Sequence, residues 1–310
     1  MFNIPPHSFN VMLVVLGLLL TATTCRLILA RAKPQKDYTE LRQRIQSWWW
    51  MIGIIFVCLI VSQTTAIILF AFISFLALKE FFSIVPTRQA DRRVLFWAYI
   101  SIPIQYYFVS IGWYGMFIIF IPIYIFLLLP MRMVLIGETK GFIYSAGIIH
   151  WAVMLTVFCL SHIAYLLVLP VQNKAAGDMG LVIFLLLMTQ LNDVCQYIWG
   201  KLLGRHKIIP RVSPNKTWEG FIGGVLSIAV VSTLLGPYLT PLSLKFSLLA
   251  GLLISGSGFI GDVVISSIKR DLEIKDSGSL IPGHGGILDR CDSLIFTSPL
   301  FFHFLYYVNY

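Results

Sequence analysis

The chain has 310 residues, of which 58% are hydrophobic and only 12% charged, with a mean hydropathy of +0.84. Soluble domains carry charge on roughly a quarter of their residues, so an ordinary soluble fold is excluded. The formal net charge of +9 must then be explained by where the basic residues fall.

Apolar runs occur at 8–28, 48–62, 65–84, 94–110, 112–130, 145–169, 180–199, 220–237, 246–262 and 293–309. Runs of roughly 17–25 residues suffice to cross a hydrocarbon core of about 30 Å. They are continuous rather than alternating, which selects helices over a barrel. The expected fold is an all-α polytopic integral membrane protein with about ten transmembrane helices. Residues 1–170 would supply N-terminal helices with basic loops, and 171–310 a C-terminal region carrying the polar motifs, within one structural unit. The first run has no charged leading segment or small-residue cleavage site and reads as a retained span. Arg31 to Gln46 reads as a short interfacial helix ahead of Trp48, Trp49 and Trp50, whose indoles suit the headgroup layer. Residues 48–82 read as a hairpin turning near Ser62 to Thr65, because the basic segments on either side belong on one face.

Segments 26–47, 79–93, 131–141, 200–218 and 263–292 hold 21 of the 23 Lys and Arg residues. Ten crossings place all five on the same face, leaving only Lys174 and Lys245 opposite. By the positive-inside rule the amino terminus is outside and the basic face cytoplasmic. This asymmetry accounts for the net charge, and no nucleic-acid partner is expected. The five cysteines show no ligand spacing and read as small apolar fillers. His150, His162 and His303 lie in or beside apolar spans and read as packing residues.

Chemistry is concentrated in the last third. Asp262, Ser266, Lys269 and Glu273 fall on one helical face, mixing carboxylate and cation. Lys275 and Asp276 precede a turn at Pro282-Gly283-His284-Gly285-Gly286, whose successive N–H groups suit an anion. Asp289 and Asp292 follow, three apart, at the start of the last span. Convergent carboxylates suit Mg²⁺, which is completed by water and substrate phosphate oxygens. Asp193 lies inside the seventh span, where a lone charge is costly, and forms a polar stripe with Gln190, Gln196 and Tyr197. Between the seventh and eighth spans lies Ser213-Pro-Asn-Lys-Thr-Trp-Glu-Gly220. There Ser213 or Thr217 suits a helix cap, and Lys216 a phosphate.

The pattern Ser267-x-Lys269-Arg270, Lys275-Asp276, His284-Gly285-Gly286, Asp289-Arg290-x-Asp292 resembles the signature of the phosphatidate cytidylyltransferases (CDP-diacylglycerol synthases). The Ser213–Gly220 block is similar to a second element of that family, and Ala77-Leu-Lys-Glu80 matches weakly. The resemblance implies that phosphatidate and CTP give CDP-diacylglycerol and pyrophosphate, in phospholipid biosynthesis, at the cytoplasmic side of a bacterial inner membrane. It implies Mg²⁺, with room for a second cation, and leaves a homodimer open. Carried over by motif, Asp262, Asp289 and Asp292 would bind metal, and Asp262, Asp289 and Lys269 would be catalytic. Ser213, Lys216, Arg270, Lys275, His284, Gly285, Gly286 and Asp193 would serve substrate and phosphate. One departure stands out: Gln196 occupies a position three after Asp193 where the family usually has a small residue. Rival readings are another CTP-dependent lipid enzyme, such as a polyprenol kinase, and an ion-coupled transporter using Asp193.

Overall fold

The structure, a computed structural model, describes residues 4–33, 35, 37–283 and 285–310. Ten long helices follow one another: α1 Pro6–Ala32, α2 Thr39–Val61, α3 Gln63–Ile84, α4 Arg92–Ser110, α5 Tyr114–Val134, α6 Phe142–Tyr165, α7 Met179–Leu203, α8 Trp218–Leu239, α9 Leu244–Asp271 and α10 Ile287–Asn309. No strand is present among the described residues. All but α4 and α10, eight in number, are long and apolar enough to cross a membrane. The chain is therefore a polytopic all-α membrane protein. The remaining two fall short on composition because each carries polar residues on a face buried against the bundle. On α10, Ser293, Thr297 and Ser298 are buried together with Phe301, Phe302 and Leu305, and on α4, Ser101 and Gln105 are buried.

Several helix boundaries follow from local chemistry. α2 and α3 are separated by Ser62 alone, whose hydroxyl accepts from Thr65 N at 3.1 Å and caps α3. The hairpin expected near that point is present. The separate interfacial helix expected over Arg31–Gln46 is not. α1 runs to Ala32, two residues short of Pro34 in the sequence, and α2 starts at Thr39 and passes through the tryptophans without a break. The basic stretch belongs to the ends of two spans. α5 widens to a π turn over Phe120–Ile125, which contains Pro122, a residue without an N–H to offer the ladder.

Hydrogen bonds define two opposite faces. On one, Ser47 Oγ donates to Pro282 O at 2.7 Å, Arg88 Nη1 to the carbonyls of Glu138 and Lys140, and Arg270 Nε to Val212 O at 3.2 Å. On the other, His7 N donates to Ala175 O at 2.9 Å, and Asn173 Nδ2 reaches Tyr238 O and Thr240 O. Tyr310 Oη closes that face on Pro170 O at 2.8 Å. The first face gathers the five basic loops. Here buried Asp91 takes a bidentate bond from Arg88 at 2.7 and 2.9 Å and a third from Ser145 Oγ at 2.5 Å. Burial pushes its carboxyl up, but Arg88 and Ser145 outweigh that and hold it below the usual carboxylate range.

The helices that carry the motifs approach closely because small residues line their contacts. A Cβ at Gly220 would meet Gln196 O at 2.8 Å, one at Gly251 would meet Ser232 Cβ at 2.6 Å, and one at Gly261 would meet Asp292 O at 2.5 Å. Lipid tails give apolar side chains little reason to prefer protein, so backbone approach and interhelical hydrogen bonds hold such contacts. Ser232 Oγ donating to Ser247 O is one of these bonds. Of the histidines, His162 is packed among Phe117, Phe158 and Phe302, with Nδ1 on Phe158 O at 2.8 Å.

The two-faced arrangement has a direct readout. Single cysteines at Lys140 and Lys207, in a background lacking the native thiols, are expected to react with an impermeant maleimide from one side of sealed vesicles. A cysteine at Lys174 is expected to react only from the other side. Labelling of Lys140 and Lys207 from opposite sides would break the ten-crossing order.

Candidate active site

The polar residues of the basic face form two adjoining clusters along α9. Asp262 and Lys269 are seven residues apart, which is two turns or about 10 Å on one side of the helix. Asp262 anchors one cluster and Lys269 the other.

In the first cluster, Lys216 Nζ lies 2.5 Å from Asp262 Oδ2 and 4.7 Å above the Phe259 ring. Ser266 Oγ donates to Asp262 Oδ1 at 3.2 Å. Asp193 on α7 and Asp292 on α10 lie close enough to Asp262 to repel it, and Arg290 and Lys216 oppose that repulsion. Ser293 Oγ donates to both oxygens of Asp193 at 3.2 Å. Three carboxylates from three helices therefore share two cations, which leaves a formal surplus of negative charge in a half-buried pocket.

The loop before α8 is shaped to deliver Lys216. Ile208 N donates to Lys216 O at 3.2 Å and Trp218 N to His206 O at 2.9 Å, a short antiparallel bridge. Thr217 caps α8 by accepting from Gly220 N at 3.2 Å. Glu219 accepts from Arg205 N at 3.0 Å and from His206 Nδ1 at 2.5 Å, fastening the far side. Ser213 acts here through its main chain: its amide donates to Ile209 O and its carbonyl accepts from Lys216 N. Arg270, exposed, braces the same loop by donating from Nε to Val212 O.

In the second cluster, Lys269 Nζ lies 2.7 Å from Asp289 Oδ1, with both side chains nearly buried. Asp289 Oδ2 accepts from Ser277 N at 2.8 Å and Gly286 N at 3.0 Å. Glu80, reaching across from α3, accepts from Ile287 N at 2.8 Å, Leu288 N at 3.4 Å and Ser277 Oγ. Of the glycine turn's amides, that of Gly286 is taken by Asp289, and the next two along the chain, Ile287 and Leu288, by Glu80. Gly285 (φ +81°) and Gly286 make room for the two carboxylates. A Cβ would meet Asp289 Oδ2 at 2.5 Å from the first and would collide with Glu80 Oε1 from the second.

The sequence-predicted residues are therefore regrouped. Asp262, Asp292, Asp193 and Lys216 come together, while Asp289 sits with Lys269 rather than facing an open cation position. Lys275 and Asp276 lie exposed on the loop. Glu273 leaves the stripe it was expected to share, because α9 ends at Asp271 and Glu273 takes φ +57° beyond it. His284 lies outside the described residues. Gln196 points to α8: its Cγ abuts Gly224, and its Nε2 donates to Asn192 Oδ1 at 3.0 Å. The larger side chain is thus absorbed by a glycine on the neighbouring helix, away from the carboxylates.

Glu80 and Arg290 received no role from sequence. Glu80 looks like one of many charges at the end of an apolar run, and its partners lie more than 190 residues away. Arg290 was part of the quoted signature, but only the structure sets it beside Asp193 and Asp292.

The Cytidylyltransferase family is matched over residues 42–308, and the chain belongs to that family. The uncharacterized protein YnbB of Escherichia coli strain K12 is 45% identical over 294 residues, covering 95% of this chain and 97% of that protein. Phosphatidate cytidylyltransferases of Staphylococcus saprophyticus and Staphylococcus aureus are each 39% identical, over 146 and 148 residues. In both cases 46% of this chain matches, and it spans 56% of the staphylococcal protein.

Glu80 carries a specific expectation. Replacing it with Ala removes acceptors from two helix-terminal amides and the Ser277 hydroxyl, and charge-assisted hydrogen bonds contribute roughly 1.5–3 kcal/mol each. Amides of Ser277, Ile287 and Leu288 are expected to exchange hydrogen at least tenfold faster in Glu80→Ala, with those of α5 unchanged. Wild-type protection in that variant would show that Glu80 does not hold the loop.

Proposed function

We propose that this membrane cytidylyltransferase-family protein joins CTP to a lipid phosphate, giving a CDP-lipid and pyrophosphate, with phosphatidate as the lipid. The observation that carries the reading is the cluster of Asp193, Asp262 and Asp292 with Lys216 at the basic face, inside the family match. The staphylococcal relatives carry the name of the phosphatidate reaction, which supports the choice of lipid. The basic loops support a cytoplasmic site in a bacterial inner membrane, where CTP is at hand.

Among the described residues no three acidic, His or Cys side chains converge as a ready-made metal cage, but the carboxylates are of the donor type a divalent cation takes one or two at a time. Carboxylate oxygens are hard ligands, and Mg²⁺ typically takes one or two of them and fills its shell with water and substrate phosphate. The cluster already accommodates a positive charge, the Lys216 ammonium at Asp262. Asp262 and Asp292, with Asp193 beside them, would hold Mg²⁺ and any second cation. When bound, the metal would neutralise phosphate charge.

The chain's own residues do the rest. A phosphatidate oxygen is anionic at neutral pH and needs no protein base. It attacks the α-phosphorus of CTP in line, forming a new P–O bond, and the bond from the α-phosphorus to the bridging oxygen breaks to release pyrophosphate. Lys216 is set to offset charge on the phosphates, because its loop is pinned on both sides. Lys269 faces the same flank of α9, and Asp289 orients it. In this reading Asp289 is a positioning residue rather than a metal ligand. Asp193, bonded to Ser293 within the same cluster, serves this site and not a separate ion path.

The test uses purified protein in detergent with labelled CTP, a panel of lipid phosphates, and Mg²⁺ or EDTA. Pyrophosphate and a CDP-lipid are expected with phosphatidate, and no turnover with EDTA. Asp262→Asn and Asp292→Asn are expected to lose at least 100-fold in kcat with unchanged thermal stability. Release of CDP would mean phosphoryl transfer and overturn the reading, as would turnover indifferent to Asp262→Asn.

A further inference from the structure

A cavity between the α2–α3 hairpin and the bundle has almost wholly apolar walls. It has a volume of about 320 Å³, within the range of roughly 300–1,000 Å³ usual for ligand pockets. The α2–α3 hairpin forms one wall, through Phe56 and Phe70, and α7 and α10 the other, through Leu187 and Leu294. Ile54 and Phe72 also line it and are 47% and 54% exposed, so the cavity opens sideways where the bundle meets lipid. Its α2 wall runs from Trp48 to Leu59, which is about 16 Å at 1.5 Å per residue and comparable with one leaflet of a hydrocarbon core of about 30 Å.

Among the described residues, the one charged side chain lining this cavity is Arg290. Its Nε is buried without a hydrogen-bond partner, and a guanidinium left so is costly. Arg290 also neighbours Asp193 and Asp292. It therefore stands at the junction of two environments, the apolar cavity on one side and the carboxylate cluster on the other. Gln190, one turn before Asp193, lines the cavity as well.

We infer that this cavity is the acyl-chain site of a phosphomonoester lipid that enters between α2–α3 and the bundle, with Arg290 receiving the headgroup phosphate. The occupant follows from complementarity. A molecule with a long apolar body and an anionic end satisfies both the walls and the unpartnered Nε of Arg290. Arg is suited to phosphate because its planar fork offers paired donors. A lipid so placed brings its phosphate to the carboxylates without leaving the membrane. The assignment rests on the cytidylyl-transfer reading for the fate of that phosphate, but not for the binding itself.

The probe is a phosphatidate with a diazirine in its acyl chain, in nanodiscs of phosphatidylcholine, with labelled peptides mapped after irradiation. Label is expected on α2, α3, α7 and α10, displaced by unlabelled phosphatidate and not by diacylglycerol of the same chains. Arg290→Gln is expected to weaken that displacement at least tenfold, with Arg290→Lys in between. Ile54→Trp, at the exposed mouth where folding is not at stake, is expected to raise KM for long-chain phosphatidate at least fivefold. It should leave KM for a dihexanoyl form, and for CTP, unchanged. Label spread evenly over the outer helices, or displacement indifferent to Arg290→Gln, would overturn the site. Groove labelling without CTP turnover would support the lipid site while removing the reaction. Turnover without groove labelling would do the reverse.

Discussion

The carboxylate of Glu80 at the start of α10 is the contact on which the polar face depends. A helix start exposes amides that the helix itself cannot satisfy, and here the start lies inside the protein. Glu80 meets two of these amides, and its negative charge suits the positive end of the helix dipole. The same side chain takes the Ser277 hydroxyl, so both ends of the intervening loop are fixed by one residue from α3. Asp289 then fastens that loop from within through Ser277 N and Gly286 N. Without this frame neither Lys269 nor Asp292 would have a defined direction.

Charge is distributed unevenly across the two clusters. Lys269 and Asp289 form a one-to-one pair with further amide donors, a satisfied arrangement that can be buried. Among the described residues, the cations that offset Asp193, Asp262 and Asp292 are Lys216 and Arg290. A half-buried group of like charges persists when the surrounding helices hold it, and glycine contacts among α7, α8, α9 and α10 do so by bringing the backbones together. The first cluster keeps a formal surplus of negative charge, and the second is balanced within itself.

The helix order and the sidedness of the loops were legible because they follow from apolar run length and from lysine and arginine placement. Both are local properties of the sequence. The acidic cluster was legible in its members but not in its grouping. Spacing put Asp289 and Asp292 on one side of a helix, yet could not tell that the Gly286 and Ser277 amides would claim Asp289. Glu80 was hidden for the reason that hides most tertiary contacts, since its partners are distant in sequence. The supposed interfacial helix at Arg31–Gln46 failed because basic, amphipathic stretches look alike whether they lie on a membrane or extend a span beyond it. Gln196 departed from a family pattern, and Gly224 on α8 explains how it is accommodated.

The single residue joining α2 to α3 has a mechanical effect. With Ser62 extended (φ −171°, ψ 157°) and its hydroxyl committed to the Thr65 amide, the two helices are pinned together at the face away from the basic loops. Splaying there would cost the cap. The hairpin is thus a stiff pair of tongs, closed at the pivot, with its jaws at the level of Trp48 and Glu80. Those jaws are held as well, through Ser47 Oγ on Pro282 O and through Glu80 on the start of α10, so the hairpin is fixed at both ends.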